Sequence, residues 1–188
     1  MLKSEEDIIK IIENDTEMMK ILEAASRMKL PDWWICAGFV RAKIWDSLHG
    51  FEYKTSVPDI DVIYFDNKNL EKTVEKKLET ELRRILPAVP WSVKNEARMH
   101  LINDIPPYYS AEDAISKFPE TATALGVKLD KNNHVILTAP HGVIDLLNLE
   151  VKPTPYFKET IERAAVYEER ITNKNWKAVW PRIKIYHA

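Results

Sequence analysis

Asp59 and Asp61 stand two residues apart in the run Val57-Pro58-Asp59-Ile60-Asp61-Val62-Ile63-Tyr64-Phe65, which is otherwise apolar and largely β-branched. Residues i and i+2 of a strand share a face, so the two carboxylates point the same way. Two anions side by side on a mostly buried strand repel and lose solvation unless a cation lies between them. Mg²⁺ suits such a pair, because it takes a few carboxylates together with substrate phosphates rather than an all-protein cage. Phosphoryl or nucleotidyl transfer is the chemistry this spacing suggests. An exposed edge strand can also carry two aspartates to discourage pairing with other chains. The flanking Val57, Ile60, Val62, Ile63 and Phe65 argue instead for an interior strand.

Upstream, Ala37-Gly38-Phe39-Val40-Arg41 reads as a strand end, a glycine and a helix start with a basic residue in its first turn. A helix N-terminus offers free N–H groups and a favourable dipole to a phosphate, and glycine lets the backbone approach closely. The same pattern serves a plain strand-to-helix turn that uses glycine for its dihedral freedom. Its weight comes from the Asp-Ile-Asp downstream.

The elements that must hold these residues follow from periodicity. Ile8, Ile9, Ile11 and Ile12, then Met18, Met19, Ile21 and Leu22, recur at helical spacing, with Asn14-Asp15-Thr16 as a break and new N-cap and Glu17 placed for a capping box. A strand over 33–37, a helix through Ala42–Leu48 ended by Gly50, and the strand at Asp59–Phe65 come next. Residues 69–86 carry Leu70, Val74, Leu78, Leu82 and Ile85 on one stripe, and their Glu/Lys/Arg content reads as a solvated helix face. Pro87 and Pro90 end that helix before a strand candidate at Trp91–Met99. Ser110 with Asp113 caps a short helix, Val127–Leu129 and Val135–Leu137 flank a hairpin, and a terminal helix is expected around 157–171. Trp176 and Trp180, four apart, are expected to dock on the core.

The bulk properties exclude several classes. The 188 residues fit one ordinary domain, and 45% hydrophobic with 30% charged residues describes a globular chain. A net charge of −2 leaves no global footprint for nucleic acid. The one cysteine, Cys36, rules out a disulfide framework and reads as a buried thiol in a reducing compartment. The N-terminus lacks an apolar signal core, and no run approaches the ~18 residues of a membrane helix. A cytoplasmic protein without membrane contact is expected. His49, His100, His134, His141 and His187 lack ligand spacing for zinc. His141, in a Pro-His-Gly turn, is a loop histidine that could contact substrate, and Asp145 is expected to bond backbone.

Gly38-Phe39-Val40-Arg41, then Leu48 and Gly50, then Asp59-Ile60-Asp61 resemble the signature of the polymerase-β-like nucleotidyltransferase superfamily. Within it, the resemblance is to the head domain of CCA-adding enzymes and poly(A) polymerases. It continues through Glu112-Asp113, Glu120–Leu125, Ala139–Leu146 and Val151-Lys152, and covers about residues 34–152. Asn95–His100 and Phe118–Ala124 are similar to strings of a bacterial nucleotidyltransferase-like group. The departures are Ala37 for the first glycine, Ala42 for the acid after the arginine, and Lys117-Phe118-Pro119 where the family has Arg-Arg-Asp.

The resemblance implies an α+β fold: a small mixed β-sheet with helices packed on it, in one domain with N-terminal helices over 1–31, a core over 32–152 and a C-terminal helical extension over 153–188. It implies Mg²⁺-dependent transfer of a nucleoside monophosphate from an NTP to an acceptor. Gly38, Phe39 and Arg41 would bind the nucleotide, with the Gly38 turn and Arg41 on its β- and γ-phosphates, and Asp59 and Asp61 would hold the metal. The superfamily's third carboxylate is expected on the 91–99 strand. If Trp91 and Val93 face the core, Ser92, Lys94 and Glu96 share the other face, which makes Glu96 the catalytic candidate. A salt bridge of Glu96 with Lys94 or Arg98 competes with that reading. The acceptor is expected to be a small molecule or protein rather than tRNA, since the residues after 152 are too few for the helical domains that hold tRNA. Rival expectations are a catalytically impaired nucleotide-binding or regulatory module, and a toxin–antitoxin-type nucleotidyltransferase that modifies a partner protein.

Overall fold

The short β-branched and aromatic runs bounded by glycine, proline and aspartate become the strands of a five-stranded mixed sheet in the computed structural model. The structure describes residues 2–103 and 105–188. In chain order the elements are α1 (Glu5–Glu13), α2 (Thr16–Arg27), β1 (Trp34–Cys36), α3 (Gly38–His49), β2 (Ile60–Tyr64), α4 (Lys72–Ile85), β3 (Trp91–Asn95), α5 (Glu96–Asn103) and α6 (Ala111–Ser116). They continue with β4 (Gly126–Leu129), β5 (Val135–Thr138), α7 (Ile144–Leu147), β6 (Glu150–Val151), α8 (Pro155–Lys158), α9 (Ile161–Lys174), α10 (Trp176–Val179) and β7 (Lys184–Ile185). Strand order is β3-β2-β1-β4-β5, with β2 parallel to β3 and the other pairs antiparallel. This is the mixed α+β class expected above. Among the described residues no helix is long and apolar enough to cross a membrane.

Alternation along β1 and β2 divides the core between the two faces of the sheet. Ile35, Ile60, Val62 and Tyr64 join the main cluster with Ile8, Leu22, Val40 and Trp45 from the helices. Trp34, Cys36 and Ile63 join a smaller cluster with Ala111, Ile115 and Ala124. Asp61, which alternates with Ile60 and Val62, therefore lies on the smaller cluster's face. β2 sits between β1 and β3, so the aspartate strand is interior, as the flanking residues suggested.

Helix α4 departs from its expected role. Leu82 is buried, but Leu70 and Ile85 are exposed, whereas Glu75 and Glu79 are buried. β3 is the edge strand, and its outward amides need acceptors. Glu75 Oε1 accepts the Asn95 N–H at 3.0 Å and Glu79 Oε1 accepts that of Val93 at 3.2 Å. Arg98 donates to both Glu75 oxygens, at 2.8 Å to Oε2. The glutamates of this charged helix thus substitute for a missing strand rather than merely facing solvent.

Smaller differences concern the caps. Asp15 caps α2 by accepting from the amides of Glu17 and Met18, while Glu17 pairs with Lys54 instead of closing a capping box. Gly50 ends α3 in the left-handed region, as expected. The terminal helix runs over 161–174, later than expected, because Pro155 starts the separate short turn α8 and Thr160 caps α9.

Candidate active site

Asp61 lies opposite Ser92 in the parallel β2–β3 register, and Asp59 comes just before the strand. The Ile60 N–H donates to the Pro90 carbonyl at 2.8 Å and so anchors the chain between the two aspartates. Lys94 Nζ lies 3.7 Å from Asp61 Oδ1, beyond hydrogen-bond reach. That oxygen is buried and has no hydrogen-bond partner among the described residues. Burial first, then the charge of Asp61, pushes the Asp59 carboxyl above its ordinary pKa, against Lys94, Lys174 and Arg170. Two like charges thus share a partly desolvated site with a shortage of donors.

Glu96 reaches this site by a route the alternation argument did not foresee. β3 ends at Asn95, and Glu96 opens α5 instead of extending the strand face. Asn95 makes the break: its Oδ1 accepts from the amides of Asp66 and Ala97, and its Nδ2 donates to the carbonyls of Asp66 and Asn69. Glu96 is only 6% exposed. Burial, aided by Asp61 and Glu75 and opposed by Lys94 and Arg98, pushes its carboxyl up to about 7. The competing salt bridge does not form, since Arg98 pairs with Glu75 and Lys94 lies nearest Asp61.

Facing this acidic wall are basic groups from two helices. The tight turn into α3 falls on Ala37 (φ 53°, ψ −113°) rather than on Gly38. A Cβ at Gly38 would meet only Arg41 Nη2 at 3.7 Å and Val57 Cγ1 at 3.9 Å, ordinary contacts. Packing therefore does not demand glycine there, which leaves room over the helix start. Arg41 is 8% exposed and its guanidinium lies 4.5 Å from the Trp176 ring, 5.4 Å from Trp45 and 5.7 Å from Trp180. Its Nε has no hydrogen-bond partner among the described residues. Burial lowers its pKa to about 10, so it stays charged at neutral pH. As expected, Trp176 and Trp180 dock on the core, and Trp180 Nε1 donates to buried Asp46 at 2.7 Å.

A cleft of about 190 Å³ joins the two sides, lined by Ala37, Asp61, Lys94, Glu96, Thr123 and Arg170 among others. Arg170 and Thr123 were missed by the sequence reading. Arg170 Nε donates to Glu120 Oε1 at 2.5 Å, and Thr123 Oγ1 to Glu120 Oε2 at 2.6 Å, with Glu120 fully buried. The available signal was the i, i+4 pair Arg170 and Lys174 just before Trp176, which by itself describes any solvated helix face. Phe39 goes elsewhere: it packs in the main core and lines a larger cavity of about 560 Å³ between α2, α3 and residues 54–60. Charged groups there are already matched, Lys43 with Asp15 and Lys54 with Glu17, and Asp46 with Thr55. The size of that cavity therefore does not make it the reactive site. His141 Nε2 sits 2.7 Å from the Ser116 carbonyl. Asp145 bonds the side chains of Thr121 and Lys152 rather than backbone, because a lysine lies within reach.

A mixed sheet with helices packed on it, a strand-to-helix turn after β1 and paired aspartates at β2 has the nucleotidyltransferase-type fold. A family model described as nucleotidyltransferase matches residues 23–185, and the chain belongs to that family. One solved structure, described as an NMR structure revealing a CCA-adding enzyme head domain, is 34% identical and has a TM-score of 0.88. The match covers 100% of this chain and 98% of that one. The Thermotoga maritima CCA-adding enzyme complexed with tRNA is similar in fold alone, at 14% identity and a TM-score of 0.53. A CCA-adding enzyme in an apo form has 12% identity and a TM-score of 0.58. The matches cover 99% of this chain and 43% of each of those two, so the chain spans less than half their length. No curated protein sequence matches the chain.

Proposed function

We propose that the protein transfers a nucleoside monophosphate from an NTP to an acceptor in an Mg²⁺-dependent reaction, with Asp59 and Asp61 holding the metal. The observation that carries this reading is the buried, unpartnered Asp61 Oδ1 beside an Asp59 whose pKa is raised. An orphaned carboxylate oxygen next to a second carboxylate fits an oxygen-seeking dication. Among the described residues no group of three His, Cys, Asp or Glu side chains surrounds one point. A two-carboxylate site fits Mg²⁺, which keeps waters and takes substrate phosphates as further ligands.

When bound, Mg²⁺ supplies polarisation of the α-phosphate and neutralises charge on the leaving pyrophosphate. The chain's own residues do the rest. Asp61 on the interior strand β2 and Asp59 just before it would hold the metal. The α3 start at Gly38 and the Arg41 guanidinium offer donors and positive charge to the phosphate tail. Phe39 contributes its backbone at that helix start, since its ring is turned into the core. Glu96, with a carboxyl pKa near neutrality, accepts a proton from the acceptor's attacking group. The acceptor is a small molecule or a protein, in keeping with a net charge of −2 that gives no global electrostatic footprint for a nucleic acid.

The test is pyrophosphate release from NTP with Mg²⁺ across candidate acceptors, tRNA included. Asp59→Asn and Asp61→Asn are each expected to abolish turnover while the circular dichroism spectrum is unchanged. Full activity in both variants refutes the assignment. A second reading, a nucleotide-binding or regulatory module without turnover, is favoured because among the described residues no third carboxylate stands close enough to share a metal with the pair. Calorimetry that finds Mg²⁺-dependent NTP binding without pyrophosphate release selects it.

A further inference from the structure

We propose that the cavity between α2, α3 and residues 54–60 is a binding site for an uncharged, largely apolar small molecule, separate from the cleft that holds Asp61.

The floor of this cavity of about 560 Å³ is apolar. Met18 and Ile21 of α2, Phe39 and Ala42 of α3 and Ile60 of β2 line it, each at most 7% exposed. Ile60 alternates with Asp61 along β2, so the cavity lies on the opposite face of the sheet from Asp61. Its volume falls in the range that takes a small-molecule ligand with most of the ligand's surface buried. Ala42 stands where the resembled family carries an acid, so this chain puts a methyl group rather than a charge on the floor.

The rim decides what charge a ligand can carry. Among the described residues the charged side chains on the wall are Asp15, Glu17, Lys43, Asp46 and Lys54, and each has its partner in the protein. Lys43 Nζ lies 2.6 Å from Asp15 Oδ2, and Lys54 pairs with Glu17. Asp46 accepts from the Thr55 amide and hydroxyl, each at 2.7 Å, and from Trp180 Nε1. A charged ligand would have to break one of these pairs or enter apolar surroundings unmatched, and both cost more than burying a neutral polar group that finds a hydrogen bond. The ligand class that fits is a ring system with a hydroxyl or amide group. Its rings would cover the floor, and its polar group would meet the hydroxyls of Thr55 and Ser56 at the rim.

The wall also includes Pro58 and Ile60, the residues on either side of Asp59. The segment that leads into Asp59 is tied at Thr55 by Asp46 and at Ile60 by the Pro90 carbonyl. Between those ties Ser56, Pro58 and Asp59 are exposed, and Val57 is half-buried. An occupant of the cavity packs against this lightly held stretch and restrains it.

Calorimetry on the full chain at pH 7 tests the site without NTP, metal or acceptor. The probes are 2-naphthol and two charged relatives, naphthalene-2-sulfonate and 2-naphthylmethylammonium. 2-Naphthol is expected to bind as a single molecule per chain, about tenfold or more tighter than either ion. Binding of an ion as tight as that of 2-naphthol, or no saturable 2-naphthol binding, overturns the inference. Ala88→Trp, at an exposed position on the wall, is expected to weaken 2-naphthol binding about tenfold by occupying the cavity. Unchanged affinity in that variant also overturns it. Asp15→Asn keeps the α2 cap, since asparagine caps as well as aspartate, but leaves Lys43 without its anion. The sulfonate is then expected to bind about fivefold more tightly, and an unaltered sulfonate affinity removes the charge argument on which the ligand class rests. Hydrogen exchange on the unmutated protein guards against a folding defect. 2-Naphthol is expected to slow amide exchange over residues 55–60 roughly threefold and to leave residues 118–123 at the cleft unaffected. Slowing at the cleft instead, or none at 55–60, overturns the site. None of these outcomes depends on turnover of an NTP, so they stand or fall apart from the transfer reading.

Discussion

The two walls of the cleft are built by opposite strategies. The acidic wall, Asp59, Asp61 and Glu96, is carried by β2, the residue just before it and the start of α5, and its defect is a missing donor at Asp61 Oδ1. The basic groups come from helices α3 and α9: Arg41 rests on Trp45, Trp176 and Trp180, and Arg170 on buried Glu120. There the orphaned atom is Arg41 Nε, without an acceptor among the described residues. An orphaned carboxylate oxygen at Asp61 and an orphaned guanidinium nitrogen at Arg41 are the two atoms that the proposed metal ion and nucleotide would satisfy. Neither wall is optimised for stability by itself, a pattern expected where polar groups are reserved for ligands.

The largest expected effect tests the acidic wall. Removing one metal-binding carboxylate, as in Asp61→Asn, should lower turnover about 10⁴-fold, or about 5 kcal/mol of barrier. Measured by pyrophosphate release, a loss under tenfold would remove the metal role from Asp61. Trp180→Ala then probes the basic wall's footing. The ring is 3% exposed, packs 5.1 Å from Trp45 and donates to Asp46, so truncation should cost about 3–5 kcal/mol in urea unfolding. A cost below 1 kcal/mol would mean that the C-terminal aromatics do not support the site.

Glu96 offers a pH-dependent comparison. Its folded pKa of about 7 lies above the ordinary 4.5, so between these values the folded protein binds more protons than the unfolded chain. Its contribution therefore falls as pH rises from about 4.5 to 7, by a few kcal/mol at most. Glu96→Gln should remove this slope, making the variant gain stability on the wild type between pH 5 and pH 8. Denaturant titrations at the two pH values check the sign, and a gap that shrinks with pH contradicts the burial of an ionisable Glu96.

The smallest effect concerns the hinge between the walls. Ala37 occupies a φ of 53° that favours glycine. Ala37→Gly should stabilise by about 1 kcal/mol, the relieved strain outweighing the added freedom of the unfolded chain. An unchanged or lowered midpoint in urea would show that this turn holds no strain.

How much of this was legible in the chain depends on the range of the interactions. The interior aspartate strand, the turn before α3, the hairpin and the Ser110 cap are written in residues a few positions apart, and periodicity exposes them. Glu96 was reached only in part. It lines the cleft with Asp61, but not by way of the strand face, because Asn95 side-chain bonds to Asp66 and Asn69 break the alternation. Glu75 and Glu79 looked like solvent-facing charge because a helix sequence does not record which strand edge it covers. Phe39 sits in the right segment, but the helical turn aims its ring away from the cleft.

By itself, then, the amino-acid sequence located the acidic pair, because alternation in an apolar run is local: Asp61 falls on the interior strand β2 and Asp59 just before it. Only the tertiary structure decided the basic half. Trp180 meets Asp46 across 134 residues, and Arg170 meets Glu120 across 50. Such pairings follow from packing and from the pairing of buried charge, which no spacing along the chain encodes.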